Sequence, residues 1–280
     1  MKRFSHISYV FALVFGVGAV TTQAQVLGPD DDGPISKQSR IYQNNRVIEF
    51  PHPREIDQMF STRHWEQINV REKANHHLYY PVMPLPDRKS LFDVLVDGIM
   101  NEGTIMEVFA DDRFEIPYTP EEIQRNVMTI DTFFNPDDPF VIDFIDTITV
   151  TAKDVLYYRV KSDWYFDKKR GQMENYIIGI APIVMNPKTK DIYPLFWVWF
   201  PDARYALSTS IVFNRQNNAA RLNFDEVFKM RMFDAIIIKE DNVYDRAIAD
   251  YKRRNALDQL LESKRIKENL RHFENDLWEF

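Results

Sequence analysis

Over residues 193–200 the chain reads YPLFWVWF, eight apolar positions in a row that stop at Pro201-Asp202. Successive side chains of a strand point to opposite faces. Tyr193, Leu195, Trp197 and Trp199 then take one face, and Pro194, Phe196, Val198 and Phe200 the other. Both faces are apolar, so such a strand has to be covered on both sides. Eight residues are too few for a membrane helix, which needs about 20, and a membrane-barrel strand would alternate apolar with polar. The run is predicted to be a central strand with its Trp face in the core, because two bare Trp side chains would make a large exposed patch. A protein contact on the Trp face is the alternative, since Trp is enriched at such contacts.

Shorter elements are marked out on either side of this run. Residues 54–64 have helical spacing, with Ile56, Met59, Phe60 and Trp65 near one face. NVRE (69–72) has the spacing of a capping box. SLFD (90–93) has it again, opening a helix LFDVLVDGIM that Gly103 closes. Residues 104–116 read as a hairpin turning at Asp111-Asp112. TPEE (119–122) combines a cap, a Pro at the first helical position and an acid at the third. Strands are predicted over 140–149, 155–161, 175–185 and 191–200, the last two joined antiparallel by a polar turn at 186–191. NFDE (223–226) is a further capping box, predicted to lead a helix through FKMRMFDAIIIK.

The C-terminal part, from residue 255, reads as one charged helix whose apolar stripe changes face. Leu257, Leu260 and Leu261 cluster on one side; Ile266, Leu270, Phe273 and Leu277 cluster on the other. Either the helix bends at residues 263–267, or its second half packs against something the first half does not touch. That something is another part of the chain or a neighbouring subunit, with Phe273, Trp278 and Phe280 as the candidate anchors.

Composition narrows the class. At 45% hydrophobic and 28% charged residues the chain is that of a folded protein. The start, with Lys2 and Arg3, the 12-residue apolar stretch YVFALVFGVGAV (9–20) and small residues up to Ala24, has the pattern of a secretory signal peptide cleaved after Ala24. Loss of Lys2 and Arg3, with no acid before Gln25, takes the net charge from −7 to −9. That balance argues against nucleic-acid binding, which needs a basic surface. There is no Cys, which removes disulfides, thiol catalysis, thiolate metal sites and a lipid-bearing Cys together. Residues 25–50 carry Asp30-Asp31-Asp32 but lack the every-second-residue spacing of a calcium loop, so they read as a flexible, solvated arm. The expected organisation is signal peptide 1–24, arm 25–50 and one globular domain 51–280, of α+β class. An antiparallel or mixed central sheet would be surrounded by helices.

Candidate chemistry is sparse. The six histidines, His6, His52, His64, His76, His77 and His272, show no zinc-ligand spacing, and only His64 with His76 or His77 would meet at one site. There is no GxSxG, P-loop or GxGxxG. Acids are many but unpatterned, so no pair stands out as a hydrolase dyad. The stretch DWYFDKKR (163–170) sets two acids, three bases and three aromatics between two strands. It is either a hairpin tip with solvated charges or a contact loop built from Trp164, Lys168 and Arg170, since aromatics mixed with Arg are the composition of binding hot spots.

Six segments in order, VREKANHHLYYPV (70–82), SLFDVLVDGIMNEGTI (90–105), YRVKSDWYFDKKRGQM (158–173), IIGIAPI (177–183), YPLFWVWFPDAR (193–204) and FENDLWEF (273–280), resemble the gliding-motility protein GldN family, which includes PorN-type secretion proteins of Bacteroidetes. The resemblance covers residues 54–280. It implies a non-enzymatic periplasmic subunit of the type IX secretion and gliding machinery, without cofactor, metal or catalytic residues. It further implies a ring on the inner side of the outer membrane, formed with a GldK/PorK-type lipoprotein and meeting the periplasmic part of a GldM/PorM-type motor protein. Membrane contact would be through those partners alone. An exported enzyme or carbohydrate-binding protein is the alternative, to be recognised by a deep pocket lined by paired carboxylates or a His cluster.

Overall fold

Where residues 54–64 have helical spacing, the chain makes one 3-10 turn (Glu55–Asp57) and then a 12-residue strand, β1 (Gln58–Asn69). The structure is a computed structural model that describes residues 47, 50, 53–85, 88–134, 142–185, 190–215, 217, 222–253 and 255–278. The expected signal peptide and nearly all of the expected arm lie outside the described residues. The helical spacing fails because β1 is hydrogen-bonded to a strand on each side. Pairing runs along nearly all of β1 on the β5 side and over His64–Gln67 on the β11 side, a gain that a short isolated helix could not match. Ile56 and Met59, half of the apparent stripe, end up 90% and 61% exposed, while His64, Glu66 and Ile68 are buried with the period of a strand.

The remaining strands are β2 (Val108–Phe109), β3 (Met128–Phe134), β4 (Ile142–Thr149), β5 (Val155–Asp167), β6 (Gln172–Met185), β7 (Ile192–Pro194), β8 (Trp197–Trp199), β9 (Ile211–Val212), β10 (Leu222–Asn223) and β11 (Ile236–Glu240). The main sheet has the order β11-β1-β5-β6-β8-β2, with β7 also on β6, and every pairing in it is antiparallel. β3 with β4 and β9 with β10 make two separate ribbons. The helices are α1 (His76–Tyr79), α2 (Leu91–Met100), α3 (Pro120–Val127), α4 (Phe200–Thr209), α5 (Phe224–Lys229), α6 (Ile248–Tyr251) and α7 (Ala256–Trp278).

Three helix starts follow the capping residues read from the sequence. Ser90 accepts from the Asp93 amide, Thr119 and Glu122 exchange both bonds of a capping box, and Asn223 and Glu226 do the same. Two other readings are corrected. NVRE (69–72) opens no capped helix: the Asn69 side chain accepts from the Arg71 amide across a turn, and a 3-10 turn follows at Lys73–Asn75. The helix after NFDE stops at Lys229, and Ile236, Ile237 and Ile238 enter β11 instead, where β-branched side chains fit a pleated surface.

The run at 193–200 is covered on both faces but is not one strand. β7 and β8 are separated by Leu195-Phe196, and Phe200 begins α4. Leu195, Phe196, Val198 and Phe200 join the main core with Ile68, Tyr158 and Ile180 of the sheet, Phe92 and Leu95 of α2, Leu207 of α4 and Phe228 of α5. Trp197 is 2% exposed and belongs to a second cluster with Trp65, Phe109 and Ala181. Phe114, from the loop after β2, plugs that second cluster edge-on against Phe109, Trp197 and Trp199. Its ring lies so close to Gly179 that a Cβ there would stand 2.4 Å from it, so β6 needs glycine at this point.

Inside the main core, Arg204 of α4 makes a two-pronged ion pair to Asp225 of α5 at 2.8 and 2.9 Å, and its guanidinium lies 4.2 Å over the ring of Phe50. Phe50, the last residue of the expected arm, is thereby fixed to the domain.

Candidate interaction surface

α7 joins the sheet along its outermost strand. The free amide of Ile237 donates to Ser263 Oγ at 2.9 Å, and Lys267 donates to the carbonyl of Ala235. These bonds occupy backbone groups that an edge strand otherwise presents to another chain. α7 is one uninterrupted helix, and the change of face in its sequence is a change of environment. Ile266 is buried with Ile237 and Ile248, and Phe273 stacks on Phe60 of β1 with ring centroids 4.3 Å apart. Leu257, Leu260 and Leu261 remain 57%, 47% and 56% exposed. The second half therefore packs at home, and the first half presents its leucines outward.

Between those two apolar anchors α7 bridges a cavity of about 300 Å³, lined on the sheet side by His64, Glu66, Trp164 and Arg231 and on the helix side by Leu270 and Glu274. Arg231 organises it. Its guanidinium lies 4.8 Å over the Trp164 ring, donates to Glu66 at 2.6 Å and reaches Asn175 at 3.1 Å. Trp164 Nε1 and both ring nitrogens of His64 have no hydrogen-bond partner among the described residues, although His64 Nε2 stands 3.6 Å from Glu240. Buried polar groups facing a cavity of this size are the kind that water satisfies.

The stretch 163–170 is mostly strand. β5 continues to Asp167, and only residues 168–171 turn. Tyr165 and Phe166 are buried in the sheet, and Trp164 is half-buried under Arg231. Asp163 is held by Arg63 across the strands at 2.6 and 2.8 Å, which raises the pKa of the guanidinium further. At the tip, Lys168 and Arg170 are exposed. Arg170 pairs with Glu174 at 2.8 Å, and Lys169 pairs with Asp57 at 3.1 Å, holding that carboxyl below its usual range. Trp278's side chain and Phe280 lie outside the described residues. The structure brings two separate sequence candidates to one place: Trp164 of the hairpin and the second half of α7 face the same cavity. Arg231 was missed by sequence reading, because its partners Glu66 and Asn175 lie 165 and 56 positions away and nothing local marks it.

Catalytic geometry is not assembled here. Glu66 and Asp163 are each engaged by an arginine. Among the described residues no group of three His, Asp or Glu is placed to hold a metal ion. No helix among them is long and apolar enough to cross a membrane.

Residues 53–279 match the family model described as gliding motility associated protein GldN. A search of curated proteins finds no match. The matched span takes in the whole main sheet, its covering helices and α7, so the chain belongs to the GldN family and is a periplasmic, non-enzymatic component of the type IX secretion machinery.

Proposed function

We propose that this protein is a ring-forming structural subunit that assembles with copies of itself and with an outer-membrane lipoprotein of the GldK/PorK type, and meets the periplasmic part of a GldM/PorM-type motor protein. Signal cleavage after Ala24 would release the mature chain, with residues 51–280 as its single assembling domain. The observation that carries this reading is the open leucine stripe of α7. A helix already docked by Ile266 and Phe273 still presents Leu257, Leu260 and Leu261 to solvent, and contiguous exposed apolar side chains on a folded protein mark contact surfaces. Trp164, Lys168 and Arg170, with Trp278 and Phe280 following the residue Phe273 that docks on Phe60, are proposed as a second contact region.

The test is co-purification of the tagged mature protein from the periplasm, with identification of the chains bound to it. Leu257, Leu260 and Leu261 changed together to Ser should fold with an unchanged melting midpoint and lose the bound chains. Full retention of every partner by that variant would remove the leucine stripe from the interface. In cells lacking the lipoprotein the protein should fractionate as soluble or be degraded; persistent membrane retention there would show an anchor of its own.

A further inference from the structure

A second cavity differs in character from the one under α7. It is a groove of about 620 Å³ between the segment carrying α1, the β9–β10 ribbon and α5. Its floor is apolar, formed by Val212, Leu222, Val227 and Met232. Lys73, His76, His77, Arg88 and Arg215 stand around it, and no Asp or Glu is among the described residues that line it. In a chain with net charge −7, a groove this size with five basic side chains and no acid reverses the overall balance.

The cations are also unspent. Elsewhere the basic side chains are paired repeatedly: Arg63 with Asp163, Lys89 with Asp97, Arg204 with Asp225, Arg231 with Glu66. Among the described residues Lys73, Arg88 and Arg215 make no ion pair, and Arg88 is instead held 5.1 Å over the ring of Phe213, which is itself 45% exposed. Burial lowers the pKa of His77, and Arg215 pushes it the same way, so His77 adds little to the positive charge that Lys73, Arg88 and Arg215 bring to the groove. Like charges gathered around an apolar floor repel one another and attract an anion, most strongly where the walls exclude water.

We propose that this groove docks an acidic peptide segment of a partner protein, one that carries an apolar side chain for the floor and carboxylates for Lys73, Arg88 and Arg215. A bare anion would leave the apolar floor wet, and an apolar helix would leave three cations without a counter-charge. Arginine suits the carboxylate role through its planar fork. This assignment is independent of ring formation, because it concerns a different surface from α7 and the β5–β6 tip.

The probe is a fluorescent peptide of alternating Glu and Leu, titrated by anisotropy against the mature chain. Binding is expected to weaken at least ~10-fold when Gln replaces every Glu, and to fall as salt rises from about 50 to 300 mM. Arg88→Glu with Arg215→Glu should abolish it at unchanged circular dichroism, while Arg88→Lys with Arg215→Lys keeps most of it. Should the double reversal not fold, Lys73→Glu, in an exposed turn, reads the same charge and should weaken binding several-fold. Equal binding of the Gln peptide, or of a peptide of Glu alone, would overturn the proposal, the latter leaving only a simple anion site. Self-association of the mature chain that the double reversal abolishes would overturn it too, naming a second copy as the occupant.

Discussion

Trp197 and Trp199 are two residues apart and share an alternation, yet they have different fates. Trp197 is enclosed by Trp65, Phe109 and Ala181, whereas Trp199 stays half-buried against the edge of Phe114 at 5.0 Å. Truncating a fully buried Trp costs about 3–5 kcal/mol, from lost transfer energy and the cavity left behind. Trp197→Ala is therefore expected to lower the unfolding free energy measured in urea by a large share of a domain's roughly 5–15 kcal/mol. Trp199→Ala should lower it by clearly less, about 1–2 kcal/mol. Equal losses would mean that the Phe114 plug encloses both rings alike. Glu262 provides a pH-dependent handle at the same scale. Arg265 holds its carboxyl below the usual 4.5, with Lys252 adding to the effect. A carboxyl with a depressed folded pKa contributes stability above its unfolded value and loses it as pH falls through the folded one. The margin of the parent over Glu262→Gln in thermal melting should thus be full near pH 6 and shrink steadily below about pH 4.5. A margin that does not change with pH would show that the pair contributes nothing to folding.

Among the elements, α7 shows how a periodic pattern can be correct and still underdetermine its meaning. The two opposed stripes were legible in the residues, because a helix repeats every 3.6 positions. Which stripe meets the domain depends on β11, placed against β1 by a long-range pairing. Deleting residues 266–280 removes Ile266 from Ile237 and Phe273 from Phe60, and opens the cavity over His64 and Glu66. The truncated chain should lose cooperative unfolding or melt many degrees lower. A truncation that melts like the parent yet no longer enters the complex would assign the tail to a neighbour instead. The same contrast explains the two misread elements. Residues 54–64 and 236–240 have local spacings compatible with a helix, yet from Gln58 on the first becomes β1, paired with β5, and the second becomes β11, paired with His64–Gln67 of β1.

For the molecule as a whole, the family match over residues 53–279 and the N-terminal pattern point to an exported machine part. N-terminal sequencing of the exported chain should begin at Gln25, and an intact Met1 on that chain would remove the signal-peptide reading. Two of the surfaces proposed for contact differ in kind. The α7 leucines form an apolar, salt-insensitive face, and the α1–β9 groove forms a cationic one. Raising the salt concentration should therefore strip partners from the groove before it separates those held through α7.

Local chemistry determined the helix starts at Ser90, Thr119 and Asn223, the β5–β6 hairpin, the antiparallel β6–β7 return and the burial of the Trp197 run, since caps, alternation and turns act within a few residues. The lack of Cys and of zinc-ligand spacing was equally plain in the residues. Only the tertiary structure decided that residues 58–69 pair between two strands, that Arg231 caps Trp164, and that Lys73, Arg88 and Arg215 gather around one apolar floor. Those outcomes join positions far apart in the chain, where hydrogen bonding, ion pairing and shared burial are available only after the sheet has brought the segments together.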